Sequence, residues 1–340
     1  MKEFPALFIE RLRQTVPSSY FEEVMASFVN KKSVVMRINT LKAEPEKVID
    51  TLSGLEFTTV PWCDHALVFD RTFLEALGKT DLIKNGVLYQ QGLSSLLVAR
   101  ILNPQPNEDV LDLCSAPGSK TTQMAAMMRN TGHIAAVEHA RARFYKLKSV
   151  IRLLGVENAQ CHLMDGRKFS PLGVRWLPEK RGGQRGRDDK YRATFEGFDK
   201  VLVDAPCSSE GRFDLTDPKT FAYWSPRKIK EMKRKQKGLV LNAFRLLKPG
   251  GCMVYSTCTF AAQENEEVID WILRKAGGMA RLSDIHIDGI RRYPALLSWE
   301  NKEYDPEIEK CLRILPDGRM QGFFIAKINK LGRDHFELTQ

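Results

Sequence analysis

Between residues 110 and 257 the chain alternates between short apolar runs and longer amphipathic segments, and this alternation constrains the fold more than any other feature. Apolar runs without polar alternation are typical of strands that are buried on both faces. Strands that alternate with helices form a parallel, doubly wound sheet. The predicted strands are 110–113, 133–137, 160–164, 200–204 and 252–257, and the predicted helices are 94–102, 120–128, 141–154 and 226–247. The sequence therefore predicts an α/β fold in this part of the chain.

The first 85 residues have a different pattern. One or two amphipathic helices between residues 4 and 29, broken at Pro17, precede predicted strands at 34–39, 57–60 and 66–69 and a helix at 45–52. This element order suits a small α+β module of the split β-α-β type. It favours an RNA-binding module, and the alternative is a simple cap on the larger domain. We predict an N-terminal module at 1–85, a main domain at 86–330 with a basic loop at 171–196, and a tail at 331–340.

Charge and cysteine content limit the partners and the compartment. The 340 residues include 52 basic and 42 acidic side chains, a net charge of +10. A polyanion such as nucleic acid is the expected partner, and an anionic membrane surface is the competing one. No run is apolar over the length of a bilayer span. The seven cysteines form no CxxC pair, so we expect neither a disulfide framework nor a metal, and we predict a cytoplasmic monomer.

The predicted helix at 226–247 carries much of this charge. Ser225 before Pro226 is a capping residue followed by a first-turn proline. The segment 227–237 then contains seven basic residues and one acid. A solvated helix face explains a few lysines, but this clustering favours contacts with phosphates. The predicted RNA-binding residues are Arg227, Lys228, Lys230, Lys233, Arg234, Lys235 and Lys237.

Two predicted strands end in residues suited to chemistry. Asp204 lies at the end of one strand, with Pro206 and Cys207 directly after it, and Cys258 lies at the end of the next strand. In a doubly wound sheet ligands bind beyond the carboxyl ends of the strands. If these strands are neighbours, both cysteines and Asp204 face one pocket. A single cysteine is more often inert packing, but two at adjacent strand ends beside an acid favour catalysis.

A glycine turn and a series of acids predict the cofactor site. The turn follows the first strand of the main domain and contains one glycine, Gly118, rather than the fuller pattern that binds dinucleotides. Acids follow the next strands, and they suit a nucleoside that carries positive charge, such as S-adenosylmethionine. The predicted cofactor-binding residues are Cys114, Ser115, Ala116, Pro117, Gly118, Ser119, Lys120, Glu138, Asp165 and Asp204.

At these residues the sequence resembles the RNA cytosine-5 methyltransferases of the NOL1/NOP2/Sun type, in particular the bacterial ribosomal RNA members. The resemblance covers nearly the whole chain. It rests on RINTLK at Arg37, YQQGLSS at Tyr89, LDLCSAPGSK at Leu111, VDAPCSSEG at Val203 and YSTCT at Tyr255. The family's usual turn is APGGK, so Ser119 is a departure. The resemblance implies a Rossmann-like class I methyltransferase sheet preceded by an RRM-like α+β module.

The resemblance also implies a role for each matching residue. Cys258 adds to carbon 6 of the cytosine, Asp204 supplies a proton or hydrogen bond to nitrogen 3, and Cys207 assists removal of the carbon 5 proton. Lys120 lowers a thiol pKa or orients Asp204. The cofactor is S-adenosylmethionine and the substrate is RNA, ribosomal RNA before transfer RNA. A flipped or looped-out base is required, because carbon 5 is inaccessible in a stacked helix.

Two other classes of protein remain as alternatives. A non-catalytic RNA-binding or ribosome-assembly factor would lack at least one of Cys258, Cys207 and Asp204, and all three are present. A nicotinamide-dependent dehydrogenase would carry the fuller glycine pattern that this chain lacks.

Overall fold

The computed structural model describes residues 3–30, 32–171 and 195–332. The predicted basic loop at 171–196 lies almost wholly outside the described residues, as does most of the tail predicted at 331–340.

The described N-terminal part consists of five helices and a four-stranded antiparallel sheet. Its strands are β1 (Val34–Ile38), β2 (Phe57–Val60), β3 (Cys63–Phe69) and β4 (Leu88–Gln90), in the order β2-β3-β1-β4. Its helices are α1 (Ala6–Thr15), α2 (Ser18–Ser27), α3 (Pro45–Thr51), α4 (Leu74–Lys79) and α5 (Asp81–Lys84). A helix joins β1 to β2 and two short helices join β3 to β4, with β1 and β3 central. This is the split β-α-β arrangement that the sequence predicts.

The larger sheet has nine strands in the described part of the chain. Its parallel strands are β5 (Asp109–Asp112), β6 (His133–Glu138), β7 (Ala159–Leu163), β8 (Phe198–Asp204) and β9 (Leu247–Thr257). The antiparallel strands are β10 (Ala280–Ser283), β11 (Arg292–Tyr293), β14 (Leu312–Ile314) and β15 (Phe323–Lys330). The order is β11-β14-β15-β9-β8-β5-β6-β7, with β10 also on β15. A separate hairpin joins β12 (Ser298–Trp299) to β13 (Lys302–Glu303).

Helices cover this sheet as the alternation predicts. They are α6 (Leu93–Leu102), α7 (Ser119–Met127), α8 (Arg141–Leu153), α9 (Pro226–Leu246) and α10 (Glu266–Lys275). Two apolar clusters pack against the strands, one with Val110, Leu202 and Val254, the other with Leu111 and Val203. Each strand therefore sends alternate side chains into a core on either face, which explains its unbroken apolar sequence. The predicted doubly wound α/β class is confirmed.

The chain reverses direction across the sheet at β5. From β5 the order runs outward through β6 and β7, and the chain then returns to place β8 and β9 on the other side of β5. All five strands are parallel, so their carboxyl ends meet at one edge. An open α/β sheet binds ligands at such a reversal point. The fold therefore positions a site beyond the ends of β5, β6 and β8.

Two contacts affect the predicted division between the N-terminal module and the larger domain. The predicted module boundary after residue 85 falls before β4, which pairs with β1 in the first sheet. The helices α1 and α2 pack with Phe213, Phe221 and Phe260 of the second part of the chain. The N-terminal helices are therefore joined to the loops of the larger domain. Within the described ranges, every helix is too short or too polar to cross a membrane.

Candidate active site

A cleft of about 1050 Å³ lies at the carboxyl edge of the parallel strands. Most of the residues that the sequence assigns to catalysis or cofactor binding line this one cleft. The lining includes Cys114, Ser115, Ala116, Pro117, Ser119, Lys120, Glu138, Asp165, Asp204, Cys207 and Cys258. Its rim also carries basic side chains from separate parts of the chain: Lys32, Arg71, Arg143, Arg167, Arg212, Lys228, Lys235 and Arg319. The fold thus brings acids and thiols to the floor and positive charge to the rim.

The two predicted cysteines lie in direct contact. Strands β8 and β9 pair in parallel with Asp204 opposite Ser256, so the residues that follow each strand lie side by side. The Sγ atoms of Cys207 and Cys258 are 3.4 Å apart. Both cysteines are free thiols in the described structure. A nucleophile and a proton-transfer group that act on the same base must lie close together, and these two sulfur atoms do.

The two thiols have opposite acidities. The hydrogen bond from Cys207 lowers the pKa of Cys258 to about 7 against the opposing effect of burial, and the nearby charge of Arg212 assists. The pKa of Cys207 is raised well above its ordinary value, by the same hydrogen bond and by burial. Cys258 is thus the more readily deprotonated thiol of the pair near neutral pH, and the thiolate is the reactive form of a cysteine.

Asp204 is oriented by two partners at the edge of the thiol pair. Lys120 Nζ donates to Asp204 Oδ2 at 2.7 Å, and the Ser256 hydroxyl donates to Oδ1 at 2.8 Å. Lys120 is only 8% exposed, so its ammonium group is directed by this ion pair. Of the two predicted roles for Lys120, the geometry favours the orientation of Asp204.

The other end of the cleft has the features of a nucleoside site. Gly118 starts α7 with φ of 112°, and a Cβ there would lie 3.1 Å from Leu147 Cδ1. The backbone of the turn therefore packs closely against α8. Glu138 is 2% exposed, and its carboxylate accepts a hydrogen bond from the backbone N–H of Ala140 at 2.8 Å. An acid fixed in this way at a strand end is suited to accept hydrogen bonds from ribose hydroxyls.

Asp165 and Asp112 complete the acidic floor. Asp165 caps the turn at 166–168 and pairs with Arg167, which lowers the pKa of Asp165. Asp112 lies at the end of β5 and accepts a hydrogen bond from the Thr121 hydroxyl at 2.7 Å. Burial raises the pKa of Asp112 to about 6. The acids and the close glycine turn fit S-adenosylmethionine, which combines a ribose with a positive sulfonium. In the described ranges, no group of three His, Cys, Asp or Glu side chains is arranged to hold a metal ion.

Four residues of this region were not predicted from the sequence: Asp112, Arg212, Glu210 and Glu264. Asp112 lies within the motif LDLCSAPGSK, and its position at a strand end was the available signal. Arg212 lines the cleft from the loop after Cys207. Glu210 and Glu264 are 3% and 0% exposed, and an acid in a loop is ordinarily taken as solvated. Glu210 lies within the motif VDAPCSSEG, but the motif alone does not show that its carboxylate is buried, because most of the hydrogen-bond partners of both glutamates are distant in the sequence.

The basic helix α9 presents its charges in three directions. Ser225 caps it as predicted, with its Oγ accepting from the Lys228 N–H at 3.2 Å. Lys228 and Lys235 line the cleft and also approach Glu231. Lys233 pairs with Glu267 of α10, and Lys237 lies beside the same carboxylate. The exposed members of the group are Arg227, Lys230 and Arg234.

Comparisons with known proteins match both parts of the chain. The family model of the 16S rRNA methyltransferase RsmB/F matches residues 99–329, and that of the N-terminal domain of 16S rRNA methyltransferase RsmF matches residues 4–92. Residues 99–329 are more than half of the 340-residue chain. The match at residues 4–92 ends directly before α6, after the first sheet, and the other begins within α6.

Individual relatives fall into two groups. The tRNA (cytosine(49)-C(5))-methyltransferase of Pyrococcus abyssi is 34% identical over 91% of this chain and 92% of its own length. The ribosomal RNA small subunit methyltransferase F of Vibrio campbellii is 33% identical over 96% of this chain, which spans 63% of that relative. Among solved structures, a methyltransferase homolog from Pyrococcus horikoshii superposes with a TM-score of 0.78 at 28% identity, covering 96% of both chains.

Proposed function

This chain belongs to the 16S rRNA methyltransferase family RsmB/F, and we propose that it methylates carbon 5 of a cytosine in ribosomal RNA through a covalent bond to Cys258. Its cofactor is S-adenosylmethionine, which supplies the methyl group when bound. The observation that carries the proposal is the contact between Cys207 and Cys258 over a cleft that also contains Asp204. We further infer a cytoplasmic monomer that needs no metal.

The first step is attack by Cys258. Its thiolate, stabilised by the Cys207 hydrogen bond, forms a bond to carbon 6 of the cytosine. The electron pair of the carbon 5–carbon 6 double bond shifts to form a carbon 4–carbon 5 double bond, and the carbon 4–nitrogen 3 pair moves onto nitrogen 3. Asp204, which Lys120 and Ser256 orient, supplies the proton or hydrogen bond that nitrogen 3 then needs. The resulting enamine is electron-rich at carbon 5.

The second step is release. After carbon 5 has gained the methyl group, its proton must leave so that the carbon–sulfur bond to Cys258 can break. Formation of that bond removes the thiolate beside Cys207, and with it two of the causes that raise the pKa of Cys207, so Cys207 can lose its own proton to solvent. Cys207 then receives the carbon 5 proton directly or through a relay. The electron pair of the broken carbon–hydrogen bond re-forms the carbon 5–carbon 6 double bond, Cys258 departs as a thiolate, and nitrogen 3 returns its proton to Asp204.

The basic rim supports an RNA substrate. Lys32, Arg212, Lys228 and Arg319 come from four separate parts of the chain and line one cleft with the thiols. Positive charge from separate elements around a concave site suits a folded polyanion whose backbone passes over the cleft. The residues from Arg227 to Lys237 remain predicted phosphate contacts, with Lys228 and Lys235 nearest to the chemistry.

Transfer RNA is the second candidate substrate. The relative that this chain covers over 92% of its length is named as a tRNA methyltransferase, whereas the chain spans 63% of the first ribosomal RNA relative. The chemistry on the base is the same, so the active site does not distinguish the two substrates.

Bisulfite sequencing of total RNA from a deletion strain tests the function and the substrate together. Loss of one or a few 5-methylcytosines from small-subunit ribosomal RNA, restored by the wild-type gene and not by Cys258→Ala, is the expected result. Loss confined to transfer RNA would select the second candidate. An unchanged pattern in both RNA classes would contradict the enzyme and favour the non-catalytic RNA-binding factor.

A further inference from the structure

Two buried glutamates lie behind the thiol pair and have no part in the steps above. Glu210 follows Cys207 by three positions, and Glu264 lies just before α10. Both are almost inaccessible to solvent, at 3% and 0% exposure. Burying a carboxylate is costly unless hydrogen bonds compensate for the lost water, so the partners of each one show what it does.

Glu210 joins three segments of the chain. Its Oε2 accepts from the Thr259 hydroxyl at 2.7 Å and from the Phe260 N–H at 2.9 Å, directly after Cys258. Its Oε1 accepts from Trp224 Nε1 at 2.7 Å. The Trp224 ring in turn packs edge-on against Phe8 of α1 at 5.6 Å. The carboxylate therefore fixes the backbone that carries Cys258 to a buried aromatic cluster.

The backbone next to Glu210 makes the same connection. The Gly211 N–H donates to the carbonyl of Cys258 at 2.9 Å. A Cβ on residue 211 would lie 2.2 Å from the carbonyl oxygen of Gly322, so only glycine allows this approach. Residues 210 and 211 together hold residues 258 to 260 by three hydrogen bonds.

Glu264 does the equivalent for the loop of Cys207. Its Oε2 accepts from the Ser208 N–H at 3.1 Å and from Gln236 Nε2 at 2.7 Å. Gln236 Nε2 also donates to the carbonyl of Pro206 at 2.9 Å, so both neighbours of Cys207 are held. The hydroxyls of Ser208 and Thr259 are 2.7 Å apart and link the two supports.

We propose that Glu210 and Glu264 are positioning residues that hold the loops of Cys258 and Cys207 so that the two thiols stay in contact. The inference deepens the proposed function, because the contact matters only if the thiols act in turn. Its test reads the thiols directly and so does not depend on which RNA is methylated. Neither glutamate touches the reacting atoms, so neither is a catalytic residue.

The Glu210→Gln variant tests the first support. Glu210 receives three donors, and a glutamine has one oxygen, so its amide N–H₂ must face a donor. The oxygen is best used toward Thr259 and Phe260, which leaves the amide against the Trp224 N–H. The additional change Trp224→Phe removes that clash. We therefore expect Glu210→Gln to be more disruptive alone than in combination with Trp224→Phe.

The readout is the rate at which diamide joins Cys207 and Cys258. Diamide takes two hydrogens from a pair of thiols as the disulfide forms, and the rate requires that the sulfurs meet. Glu210→Gln should slow the joining of these two cysteines, identified by peptide mass spectrometry, by about threefold or more relative to wild type. It should also shift the pH profile of Cys258 alkylation to higher pH, because the hydrogen bond from Cys207 weakens.

Glu264 offers a rescue by its conservative variant. The oxygen of a glutamine at the Oε2 position keeps both donors, so Glu264→Gln should retain the wild-type rate, whereas Glu264→Ala loses both contacts and should slow it. Trp299→Phe is the matched control for Trp224→Phe, because Trp299 Nε1 is buried and has no hydrogen-bond acceptor among the described residues. It should leave the thiol readouts unchanged.

The outcomes separate the inference from the proposed function. Glu210→Gln and Glu264→Ala that keep wild-type diamide rates and alkylation profiles, with only a lowered melting temperature, would overturn the positioning role. If Glu210→Gln fails to fold, the milder Trp224→Phe against Trp299→Phe decides the same question. If the wild type forms no 5-methylcytosine in any RNA, the proposed function fails while the thiol measurements still decide the positioning.

Discussion

The two thiols at the centre of the cleft are chemically distinct although they lie 3.4 Å apart. Cys258 accepts a hydrogen bond from Cys207 and lies near Arg212, and both influences favour its thiolate. Burial and the hydrogen bond with Cys258 raise the pKa of Cys207. This asymmetry supports the proposed assignment of attack to Cys258 and of proton transfer to Cys207.

The asymmetry predicts a pH dependence. Because the pKa of Cys258 is lowered to about 7, the rate of its alkylation by iodoacetamide should rise with pH and level off above neutral. Cys207→Ala and Arg212→Gln each remove a group that stabilises the thiolate, so both should move the rise to higher pH. Peptide mass spectrometry resolves Cys258 from the other cysteines. A profile that neither substitution moves would contradict this account of the thiolate.

The different roles proposed for Cys258 and Cys207 predict different behaviour of their alanine variants. Cys258→Ala should lose both methylation and any protein–RNA adduct. Cys207→Ala should still attack the base but release it slowly, so a complex that survives denaturing electrophoresis should accumulate. The double variant should lose that complex. An adduct with Cys258→Ala instead would exchange the two roles, and full methylation by both single variants would mean that the thiols only pack.

Glu264 predicts a change in stability with pH. Burial raises its pKa to about 8, from 4.5 in an exposed carboxyl. Below pH 4.5 both the folded and unfolded states hold the proton. Between 4.5 and 8 only the folded state does, so the free energy of unfolding falls as pH rises and then levels off. Glu264→Gln lacks this cost. Urea denaturation at pH 5.5, 7 and 8.5 should show its stability relative to wild type rising, on the order of a few kcal/mol. A constant difference would contradict the raised pKa.

The residues predicted from the sequence are those that follow apolar strands. Asp204, Cys207 and Cys258 follow buried strands, and a parallel sheet brings strand ends together whatever the loops do. Glu210 and Glu264 could not be found in this way. Their donors Thr259, Phe260 and Ser208 are about 50 positions away in the chain and become neighbours only when β8 and β9 pair.

At the scale of elements, helix α9 has one face buried in the core and basic side chains on its remaining surface. The core-facing residues Ile229, Met232, Leu239, Val240 and Ala243 are buried, as their helical spacing predicts. The basic side chains around this stripe face the cleft, α10 or solvent. Lys233 and Lys237 share Glu267 with Lys302, which compensates part of their charge. Lys228 and Lys235 are partly compensated by Glu231 in the same way, but they line the cleft. A ligand in the cleft can therefore reach these two lysines and not the pair that faces α10.

This division predicts unequal effects on RNA binding. Replacing Lys228 and Lys235 with glutamine should flatten the dependence of RNA affinity on salt, because each phosphate that a lysine neutralises releases counterions. The matched change at Lys233 and Lys237 should have a smaller effect, since these lysines lie outside the cleft lining, whereas both pairs have an acidic neighbour, Glu267 or Glu231. Filter binding over a range of salt concentrations measures the slope. Equal slopes for both variants and wild type would indicate that the basic residues of α9 form a solvated face and do not contact RNA.

The elements that the sequence predicted best are the parallel strands and their helices, whose bounds shift by one or two residues, except that β9 begins five residues earlier than predicted. The antiparallel part was not predicted. Strand β15 pairs with β9 although the chain from residue 258 to residue 322 lies between them in the sequence. Strands β10 and β14 in turn pair with β15. Pairing over such distances depends on tertiary packing, and short strands of two or three residues carry little periodicity of their own.

At the scale of the whole molecule, the N-terminal helices pack against the larger of the two predicted modules. Helices α1 and α2 precede the first sheet in sequence but pack on the loops that follow β8. The ring centroids of Phe4 and Phe221 are 4.8 Å apart, and those of Phe8 and Phe213 are 5.0 Å apart. The amphipathic pattern of α1 predicted a buried face, but a pattern does not identify the surface that covers that face. Trp224 packs against Phe8 of α1 and donates a hydrogen bond to Glu210, so it connects the N-terminal helices to the residues that hold Cys258.

This connection predicts that the N-terminal helices and the larger domain unfold together. Phe8 is 1% exposed, so Phe8→Ala leaves a cavity in the shared aromatic cluster and should lower the free energy of unfolding by about 3 to 5 kcal/mol. Far-ultraviolet circular dichroism and tryptophan fluorescence should report the same urea midpoint in wild type, and both should shift together in Phe8→Ala. Tyr145→Ala, at a 53% exposed site on α8, is the control and should change the midpoint little. If Phe8→Ala instead produced an early transition in which only part of the helical signal is lost while fluorescence keeps its wild-type midpoint, the helices would be an independent unit. Their packing could then not contribute to the position of Cys258.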